Sequence, residues 1–351
     1  MTKPVVIMDA YWRRMDELFS GDDLKRLHAQ AEVVWGKDAP IPEDVLEGAW
    51  PRADVLVAEC PRVSKATLDL APKLRMIIEV SGAFPDTIDY AACADRGVEV
   101  LSCSPGFRQS VAEMGLGMAI AGARGIVAEH MAFGQGQEHW LSDNDATDFT
   151  LFRAPIGFIG FGQIAQELSR LLVPFNASIS AFDPWLGQEK ADQFGVTLAD
   201  MEEVLARSRI LFVIAVPTRE NKGLIGAPQI ARMPQGAHLV LLSRAHLVQM
   251  DAVLTAVKSG RIRAALDVFD LEPVPADHPM RQMDGLILSP HRAAAVPGGR
   301  QLIGAMLLDD IAALLSGAPA RSLLKANAAQ IEALAGVGDA AQVGDMAKAR
   351  S

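Results

Sequence analysis

The chain of 351 residues carries a formal net charge of −10 at pH 7, and 50% of its residues are hydrophobic. This length is typical of two globular domains rather than one. The acidic balance argues against a nucleic acid or an anionic membrane surface as a partner.

The cysteines and the apolar segments indicate where the chain works. Cys60, Cys93 and Cys103 are odd in number and lack the spacing of a metal site, so we expect reduced thiols and no bound metal. The chain starts with a strand-like apolar segment rather than a charged region followed by a long apolar core. No run of about 18 apolar residues occurs, so we expect no membrane span. These features predict a cytoplasmic protein.

The first part of the chain alternates between strand and helix patterns, which is typical of an α/β domain with a parallel sheet. The predicted strands cover 5–8, 32–35, 55–58, 76–80 and 98–101, and the predicted helices cover 22–30, 65–70 and 88–96. A long helix rich in Ala, Gly and Met is then predicted over 109–133. A polar, irregular segment follows over 134–153.

A glycine-rich turn joins the next predicted strand, 154–159, to a predicted amphipathic helix, 163–172. Gly160 permits the tight turn, Gly162 lets the backbone approach a pyrophosphate, and Ala165 allows close packing of helix on sheet. The N-terminus of the helix offers free N–H groups and the positive end of the helix dipole to phosphates. A glycine turn alone would also fit an ordinary strand–helix connection, so its context decides.

An acidic residue, Asp183, follows the next predicted strand, 177–182, at the spacing of a dinucleotide fingerprint. Its carboxylate would accept hydrogen bonds from both adenosine ribose hydroxyls and would repel a 2′-phosphate. We therefore predict NAD rather than NADP as the cofactor, bound in part by the turn residues Phe161, Gln163 and Ile164.

The remainder of the chain continues the same alternation. Strands are predicted over 210–216, 238–242, 264–268 and 286–289, and a helix over 301–315. The last residues are rich in Ala and Gly, which fits either a docked helix or a frayed tail.

Three polar residues, Arg244, Glu272 and His291, each lie beyond the end of one of these strands. Ligands of doubly wound sheets bind at the carboxyl ends of the strands, so we expect the three side chains at one edge. Each alone is more typical of a surface or loop residue. Their coincidence with the fingerprint favours an acid–base site beside a nicotinamide.

In the order of its motifs the chain resembles the D-isomer-specific 2-hydroxyacid dehydrogenases, from about residue 55 to residue 324. The segments that carry the resemblance are the loop 81–89, the segment 110–113, the glycine turn with Asp183, the segment 216–225, and the segments around Arg244, Glu272 and His291. Together they are far more specific than the glycines alone.

The resemblance implies two doubly wound parallel-sheet α/β domains, with a Rossmann NAD-binding domain inserted into a flavodoxin-like substrate domain. The substrate domain would consist of 1–102 and a return helix within 296–330. The NAD-binding domain would span 103–295, and 331–351 would form a C-terminal tail. Members of the family usually form homodimers, largely through the nucleotide-binding domain.

The resemblance also implies a role for each polar residue of the site. Arg244 would bind the substrate, and His291 would be the general acid in keto reduction and the general base in alcohol oxidation. Glu272 would pair with His291 and fix the orientation of its ring. Asp267 would hydrogen-bond the nicotinamide carboxamide. The other implied residues are Val216, Pro217 and Ser243 for the cofactor, and the backbone N–H groups around Ser81, Gly82 and Ala83 for the substrate carboxylate.

These expectations predict an oxidoreductase that transfers a hydride between NAD(H) and a D-2-hydroxy acid/2-oxo acid pair. Negative charge grows on the carbonyl oxygen during reduction, which a fixed Arg stabilises and a protonated His neutralises. One alternative is an NAD(H)-responsive binding or regulatory protein on the same fold, with little turnover. A third possibility is an enzyme of the same fold whose hydride donor is formate or phosphite rather than a 2-hydroxy acid.

Several positions depart from the family pattern, among them Gln249 and Ala294, and four of them bear on the site. Leu241 and Ala245 stand where Asn and Gly are common around the catalytic Arg, and this could loosen the placement of that side chain. Phe84 replaces a common Gly and would reshape the substrate pocket. Arg292 follows His291 and could bind a second anionic group, although an exposed charge or an ion pair is the more ordinary role.

Overall fold

The computed structural model describes residues 3–10, 13–141, 148–318 and 322–334. Two compact units make up the chain: Met1–Phe107 together with Ala295–Ser351, and Arg108–Ala294. Most of the predicted tail over 331–351 lies outside the described residues. So do residues 142–147 of the predicted irregular segment.

The strands alternate with helices along the described chain. The strands are β1 Val5–Asp9, β2 Glu32–Trp35, β3 Ala53–Ala58, β4 Met76–Glu79, β5 Glu99–Ser102, β6 Pro155–Ile159, β7 Ser178–Phe182, β8 Thr197–Leu198, β9 Ile210–Val213, β10 Ala237–Leu241, β11 Ile262–Leu266, β12 Leu286–Leu288 and β13 Leu324–Lys325. The helices are α1 Met15–Leu18, α2 Gly21–Gln30, α3 Glu43–Ala49, α4 Lys65–Leu70, α5 Tyr90–Asp95, α6 Arg108–Ala123, α7 Ile126–Gln135, α8 Gln163–Leu172, α9 Gln188–Gln193, α10 Met201–Arg207, α11 Ala227–Arg232, α12 Met250–Lys258, α13 Gln301–Ser316 and α14 Ala328–Leu334.

The first unit contains a six-stranded sheet with the order β13-β5-β4-β3-β1-β2. Strands β1 to β5 pair in parallel, and β13 pairs antiparallel with β5. The order of the five parallel strands is that of a flavodoxin-like sheet. Both faces are buried: Val6 and Ile78 belong to the apolar cluster on one face, and Ile7 and Ile77 to the cluster on the other.

The second unit contains a seven-stranded parallel sheet with the order β12-β11-β10-β9-β6-β7-β8. The chain order reverses between β6 and β9, which places the topological switch point at their carboxyl ends. The predicted fold class, two doubly wound parallel-sheet α/β domains, is therefore confirmed.

The prediction of one long helix over 109–133 is wrong. The structure has two helices, α6 and α7, and Gly125 between them adopts a left-handed conformation with φ of 59°. A residue with positive φ cannot continue an α-helix, so the chain turns at this point. The apolar composition of both helices hides the break in the sequence pattern.

Within the described ranges, no single helix is both long enough and apolar enough to cross a membrane. In the part of the chain that the structure describes, one pair of helices, Ser104–Ala123 and Ile126–Gln135, meets these requirements jointly, and that pair is bent by 58°.

Candidate active site

The glycine turn after β6 has the geometry of a phosphate cradle. Gly160 has φ of 87°, and a Cβ added there would lie 2.4 Å from the Cα of Ala215, so only glycine fits. A Cβ added at Gly162 would meet no atom within 4 Å. This open space lies directly at the N-terminus of α8, where backbone N–H groups favour an anion. The turn therefore fits the pyrophosphate of NAD.

Asp183, just after β7, holds the same turn in place. One carboxylate oxygen accepts the N–H of Phe161 at 2.7 Å, and the other accepts the N–H of Trp185 at 2.9 Å. In the cradle, Gln163 is exposed at the first position of α8 and Ile164 is half-buried. The sequence-predicted cofactor residues of this turn and Asp183 thus lie together.

The segment after β9, which was predicted to bind the cofactor, is held in a turn by the side chain of Asn221. Asn221 donates its Nδ2 to the carbonyl of Val216 at 2.8 Å and accepts the N–H of Thr218 at 2.8 Å. His246 also contacts the carbonyl of Thr218 through Nε2, at 2.8 Å. Val216 is exposed and Pro217 half-buried, so both can face a ligand at this edge of the sheet.

The segment after β10 carries Ser243 and Arg244, both half-buried. The hydroxyl of Ser243 donates to the carbonyl of Val213 at 3.4 Å, and Nη1 of Arg244 donates to the carbonyl of Ser243 at 2.8 Å. Leu241, where Asn is common in the family, is a buried residue of β10, and Ala245 is buried in the following turn.

His291 and Glu272 form a close pair, with 2.6 Å between Nδ1 of the ring and Oε2 of the carboxylate. The Glu272 side chain is only 9% exposed and that of His291 is 33% exposed. The second carboxylate oxygen of Glu272 accepts the N–H of Phe269 at 2.8 Å. With Nδ1 directed at Glu272, Nε2 is the ring nitrogen that can reach a substrate.

Burial and hydrogen bonding act on Glu272 in opposite directions. Burial raises its pKa, but the hydrogen bond and charge of His291, the N–H of Phe269 and the charge of Arg244 lower it, and the net pKa lies below its ordinary value. His291 and Glu272 are in direct contact, and the charge of Arg244 acts on the carboxylate of that pair.

Asp267, at the end of β11, is 1% exposed and organises the loop that carries His291. Its carboxylate accepts the hydroxyl of Ser289 at 2.5 Å and the N–H groups of Arg292 and Ala293 at 3.0 and 3.1 Å. The sequence suggested a contact with the cofactor for Asp267 and missed this second role, and it missed Ser289. The backbone of His291 itself has φ of 49°, a left-handed conformation that these bonds help to hold.

The segment Ser81, Gly82 and Ala83 lies in the other unit. Its three backbone N–H groups, which the resemblance assigned to a substrate carboxylate, donate instead to the side chain of Glu79. Sequence reasoning missed Glu79. Its signal was a single charged residue at the end of an otherwise apolar buried strand.

Residues 116–293 match the family described as D-isomer specific 2-hydroxyacid dehydrogenase, NAD binding domain. The solved structure of a phosphoglycerate oxidoreductase from Rhizobium etli is 36% identical, with a TM-score of 0.82, over 93% of this chain and 99% of that one. The chain belongs to this family. Its NAD-binding domain contains the glycine turn, Asp183 and all three residues of the Arg–Glu–His set.

Two curated relatives of the chain differ in how much of their length is matched. The D-3-phosphoglycerate dehydrogenase of Archaeoglobus fulgidus is 30% identical over 78% of this chain and 51% of its own length. The glyoxylate reductase of Korarchaeum cryptofilum is 26% identical over 81% of this chain and 86% of its own length. The chain thus spans about half the length of the phosphoglycerate dehydrogenases that it matches.

Proposed function

We propose that the protein is an NAD-dependent dehydrogenase that transfers a hydride between NAD(H) and a D-2-hydroxy acid/2-oxo acid pair. The observation that carries this proposal is the 2.6 Å contact between Glu272 and His291. The pair and the glycine cradle both follow the carboxyl ends of strands of the same parallel sheet. Two relatives support the proposal: one is named as a dehydrogenase of a 2-hydroxy acid, D-3-phosphoglycerate, and the other as a reductase of a 2-oxo acid, glyoxylate.

Two side chains, those of Arg244 and His291, act directly on the substrate. Bound NAD(H) supplies or accepts the hydride, and the chain positions the reactants. In keto reduction, Arg244 stabilises the negative charge that grows on the carbonyl oxygen, and Nε2 of His291 donates a proton to that oxygen. In alcohol oxidation, the same nitrogen accepts the hydroxyl proton.

The remaining residues hold the proton donor in place. Glu272 fixes the ring through Nδ1 and stabilises the positive charge of the protonated imidazole. Because the pKa of Glu272 lies below its ordinary value, this carboxylate is ionised at neutral pH. Asp267 holds the loop on both sides of His291, through the hydroxyl of Ser289 before it and the N–H groups of Arg292 and Ala293 after it, and this helps to orient the imidazole.

The test is NADH oxidation, followed by absorbance, with a panel of 2-oxo acids that includes members with a second anionic group. His291→Ala is assayed beside the wild type, and His139→Ala serves as a control because His139 is exposed and far along the chain from the site. We expect turnover of at least one acid by the wild type and the control, and loss in His291→Ala. NADH binding without turnover of any acid would refute the proposal and favour a binding protein.

Arg292 bears on which acid is used. Its backbone N–H is bound to Asp267, and the residue is exposed next to His291. An exposed guanidinium beside the general acid would favour a substrate with a second anionic group. In the panel, Arg292→Ala would then raise KM for doubly anionic acids and leave KM for singly anionic acids unchanged.

The proposal extends to a homodimer in the cytoplasm. Helix α7 has no buried residue, although most of its side chains are apolar, and Ile126, Met131 and Phe133 are 51–61% exposed. The family resemblance implies a homodimer formed largely through the nucleotide-binding domain. Because α7 belongs to that unit, a second copy of the chain is our proposed occupant of this surface. Cys60, Cys93 and Cys103 form no disulfide in the described part of the chain, which suits a reducing compartment.

A further inference from the structure

The loop between β11 and β12 carries Glu272, and its sequence limits the hydrogen bonds that its backbone can form. Pro273, Pro275 and Pro279 have no N–H group to donate. The carboxylate of Glu272 must nevertheless stay within hydrogen-bonding distance of His291 if it is to orient that ring. The way in which the loop is held therefore bears directly on the acid–base pair.

Arg281, later in the same loop, closes it with a side chain. Its Nε donates to the carbonyl of Pro275 at 2.7 Å, and its Nη2 donates to the carbonyl of Val274 at 2.6 Å. These two acceptors are consecutive residues that follow Glu272 and Pro273 directly. The planar fork of a guanidinium can bind both acceptors at once, which fixes their orientation as well as their distance.

Although Arg281 is exposed, its backbone is fixed. It lies in the 3₁₀ turn Pro279–Gln282, and its N–H donates to the carbonyl of His278 at 3.1 Å. In the same turn, Met280 belongs to the apolar core of the unit, and its N–H donates to Nδ1 of His278 at 3.2 Å. The guanidinium thus reaches from a part of the loop that is anchored in the core to the part that follows Glu272.

The other side of Glu272 is anchored in the same core. Phe269 is a buried member of that core, and its N–H donates to Oε1 of Glu272 at 2.8 Å. Val274 is partly buried against the core as well. With Phe269 on one side and the bonds from Arg281 on the other, the carboxylate has little freedom to leave His291.

We propose that Arg281 is a positioning residue for the acid–base pair, which it keeps together by closing the loop that carries Glu272. Arg281 contacts neither the substrate nor the cofactor in this role and acts only through Glu272. All of these residues belong to the unit Arg108–Ala294. The catalytic consequence rests on the proposed function, whereas the closure of the loop stands on the geometry of this unit alone.

Hydrogen exchange tests the closure without any turnover. The N–H of Phe269 is bonded to the carboxylate of Glu272, so its exchange reports on the position of that carboxylate. In Arg281→Ala we expect this amide to exchange about tenfold faster than in the wild type, measured by mass spectrometry with fragmentation to single residues. An unchanged rate at Phe269, or an equal rise throughout the domain, would refute the closure.

Arg261→Ala is the matched control. Arg261 also donates from one guanidinium nitrogen to two carbonyls of the same domain, those of Ala231 and Met233. Its loss should speed exchange near those two residues and leave the amide of Phe269 unchanged. Arg281→Lys keeps a charged donor in the loop and should restore part of the protection that Arg281→Ala loses.

A double-mutant cycle tests the catalytic consequence. Without the closure the carboxylate is less often on the ring, so kcat for reduction of the best 2-oxo acid should fall about tenfold in Arg281→Ala. The NADH dissociation constant should not change. Because Arg281 acts through Glu272, adding Arg281→Ala to Glu272→Gln should cause no further loss. Losses that multiply in the double variant would overturn the positioning role.

The pH profile of kcat gives a second readout that a merely structural role would not move. Burial raises the pKa of Glu272, and the hydrogen bonds and charges around its carboxylate outweigh that rise. When the carboxylate leaves the ring, its pKa should rise, and the protonated imidazole of His291 loses the charge that stabilises it. The pH range of maximal kcat should therefore narrow from both sides in Arg281→Ala and stay that of the wild type in Arg261→Ala.

The outcomes distinguish the two proposals. If no 2-oxo acid is turned over but the amide of Phe269 exchanges faster in Arg281→Ala, the proposed function fails with the catalytic consequence, and the closure of the loop stands. If the enzyme is active and the closure is seen, a wild-type kcat and pH profile in Arg281→Ala refute the positioning role alone. If Arg281→Ala is insoluble, Arg281→Gln replaces it in the same measurements, because an amide can donate to at most one of the two carbonyls in the guanidinium geometry.

Discussion

Two His–Glu pairs in the NAD-binding domain have similar distances and very different environments. His291 and Glu272 are 2.6 Å apart, with the carboxylate 9% exposed. His139 and Glu129 are 2.9 Å apart, with side chains 67% and 46% exposed. Water and salt screen the exposed pair, and such pairs contribute little. Only the half-buried pair can hold a ring in one orientation for proton transfer.

Glu272→Gln should therefore impair turnover without unfolding the protein. The amide keeps the shape of the side chain but removes the charge that orients and stabilises the protonated ring, so we expect kcat to fall about 10²-fold or more. Steady-state kinetics with the best 2-oxo acid, at saturating NADH, measure the loss. The NADH dissociation constant should remain unchanged, because Glu272 belongs to the acid–base pair rather than to the glycine cradle.

Glu129→Gln is the matched control for this substitution. It makes the same chemical change in the exposed pair, and we expect wild-type kcat and KM. Equal losses in the two variants, or no loss in Glu272→Gln, would contradict the role assigned to Glu272.

His238, in β10, is a buried histidine whose effect lies in stability. It is 0% exposed, its Nε2 lies 3.3 Å from the carbonyl of Met118, and burial together with the charge of Arg263 lowers its pKa from 6.5 to about 4. Between these two values the unfolded chain binds a proton that the native protein does not. The stability that depends on the protonation of His238 is therefore fully present above pH 6.5. It is lost as the pH falls to about 4, which lowers the free energy of unfolding by on the order of 3 kcal/mol.

His238→Gln should flatten this pH dependence, because the proton-binding group is removed from both states. Urea unfolding at several pH values between 7.5 and 4.5 measures the free energy of unfolding. We expect a smaller loss on acidification in His238→Gln than in the wild type, although its stability at pH 7 is lower. His28→Gln, which changes an exposed histidine, should follow the wild type. Parallel curves for all three proteins would show that His238 does not titrate as described.

At the scale of elements, the strand–turn–helix unit from β6 to α8 contains one glycine that the fold requires, Gly160, and one that we expect ligand binding to require, Gly162. Gly160→Ala would drive a Cβ into the backbone of Ala215 and strain a positive φ, so we expect lower stability together with weaker NADH binding. Gly162→Ala would place its Cβ in open space at the helix N-terminus. We therefore expect it to retain the wild-type Tm while NADH binds at least about tenfold more weakly.

Thermal denaturation and titration of NADH fluorescence test this pair of variants together. Wild-type NADH affinity in Gly162→Ala would show that the open space is not the pyrophosphate site. A wild-type Tm in Gly160→Ala would show that the turn can shift away from Ala215.

The break between α6 and α7 should make glycine-to-alanine substitutions at and near it differ in their effect on stability. Gly125→Ala puts a side chain at φ of 59°, and we expect a loss of about 1 kcal/mol in the free energy of unfolding. Gly117 lies inside α6 with open space around its would-be Cβ. Gly117→Ala should raise stability by a similar amount. Chemical denaturation of both variants decides, and an effect of the same sign in both would contradict the assigned bend.

For the whole molecule, the sequence predicted what local patterns can express. The predicted helices 65–70 and 163–172 coincide with α4 and α8, and the predicted strand 32–35 with β2. Each has a clear apolar period and clear ends. The polar residues after consecutive strands were predictable for the same reason, because parallel strands bring their carboxyl ends to one edge.

What the sequence did not predict depends on contacts between distant residues or on backbone conformation. The backbone N–H groups that donate to Glu79 include that of Cys60, 19 positions earlier, and no side-chain pattern marks a backbone N–H as a donor. The anchoring of the His291 loop by Asp267 spans more than 20 positions. The two-residue strand β8 is too short for any periodicity to reveal it.

The last prediction concerns the assembly. Helix α7 and the turn after it expose Met131, Phe133, Trp140 and Leu141, each 60% exposed or more, and the rings of Phe133 and Trp140 pack 6.2 Å apart. An apolar patch of this kind on a single chain would favour association, so we expect a dimer in light scattering after gel filtration.

Met131→Lys combined with Phe133→Lys would place two charges in the interface and should yield monomers that still bind NADH. Trp185→Lys changes an equally exposed aromatic residue of the same domain, 69% exposed, and should remain a dimer. A monomeric wild type, or a double variant that stays dimeric, would remove α7 as the interface. A control that also dissociates would indicate a different or broader contact surface.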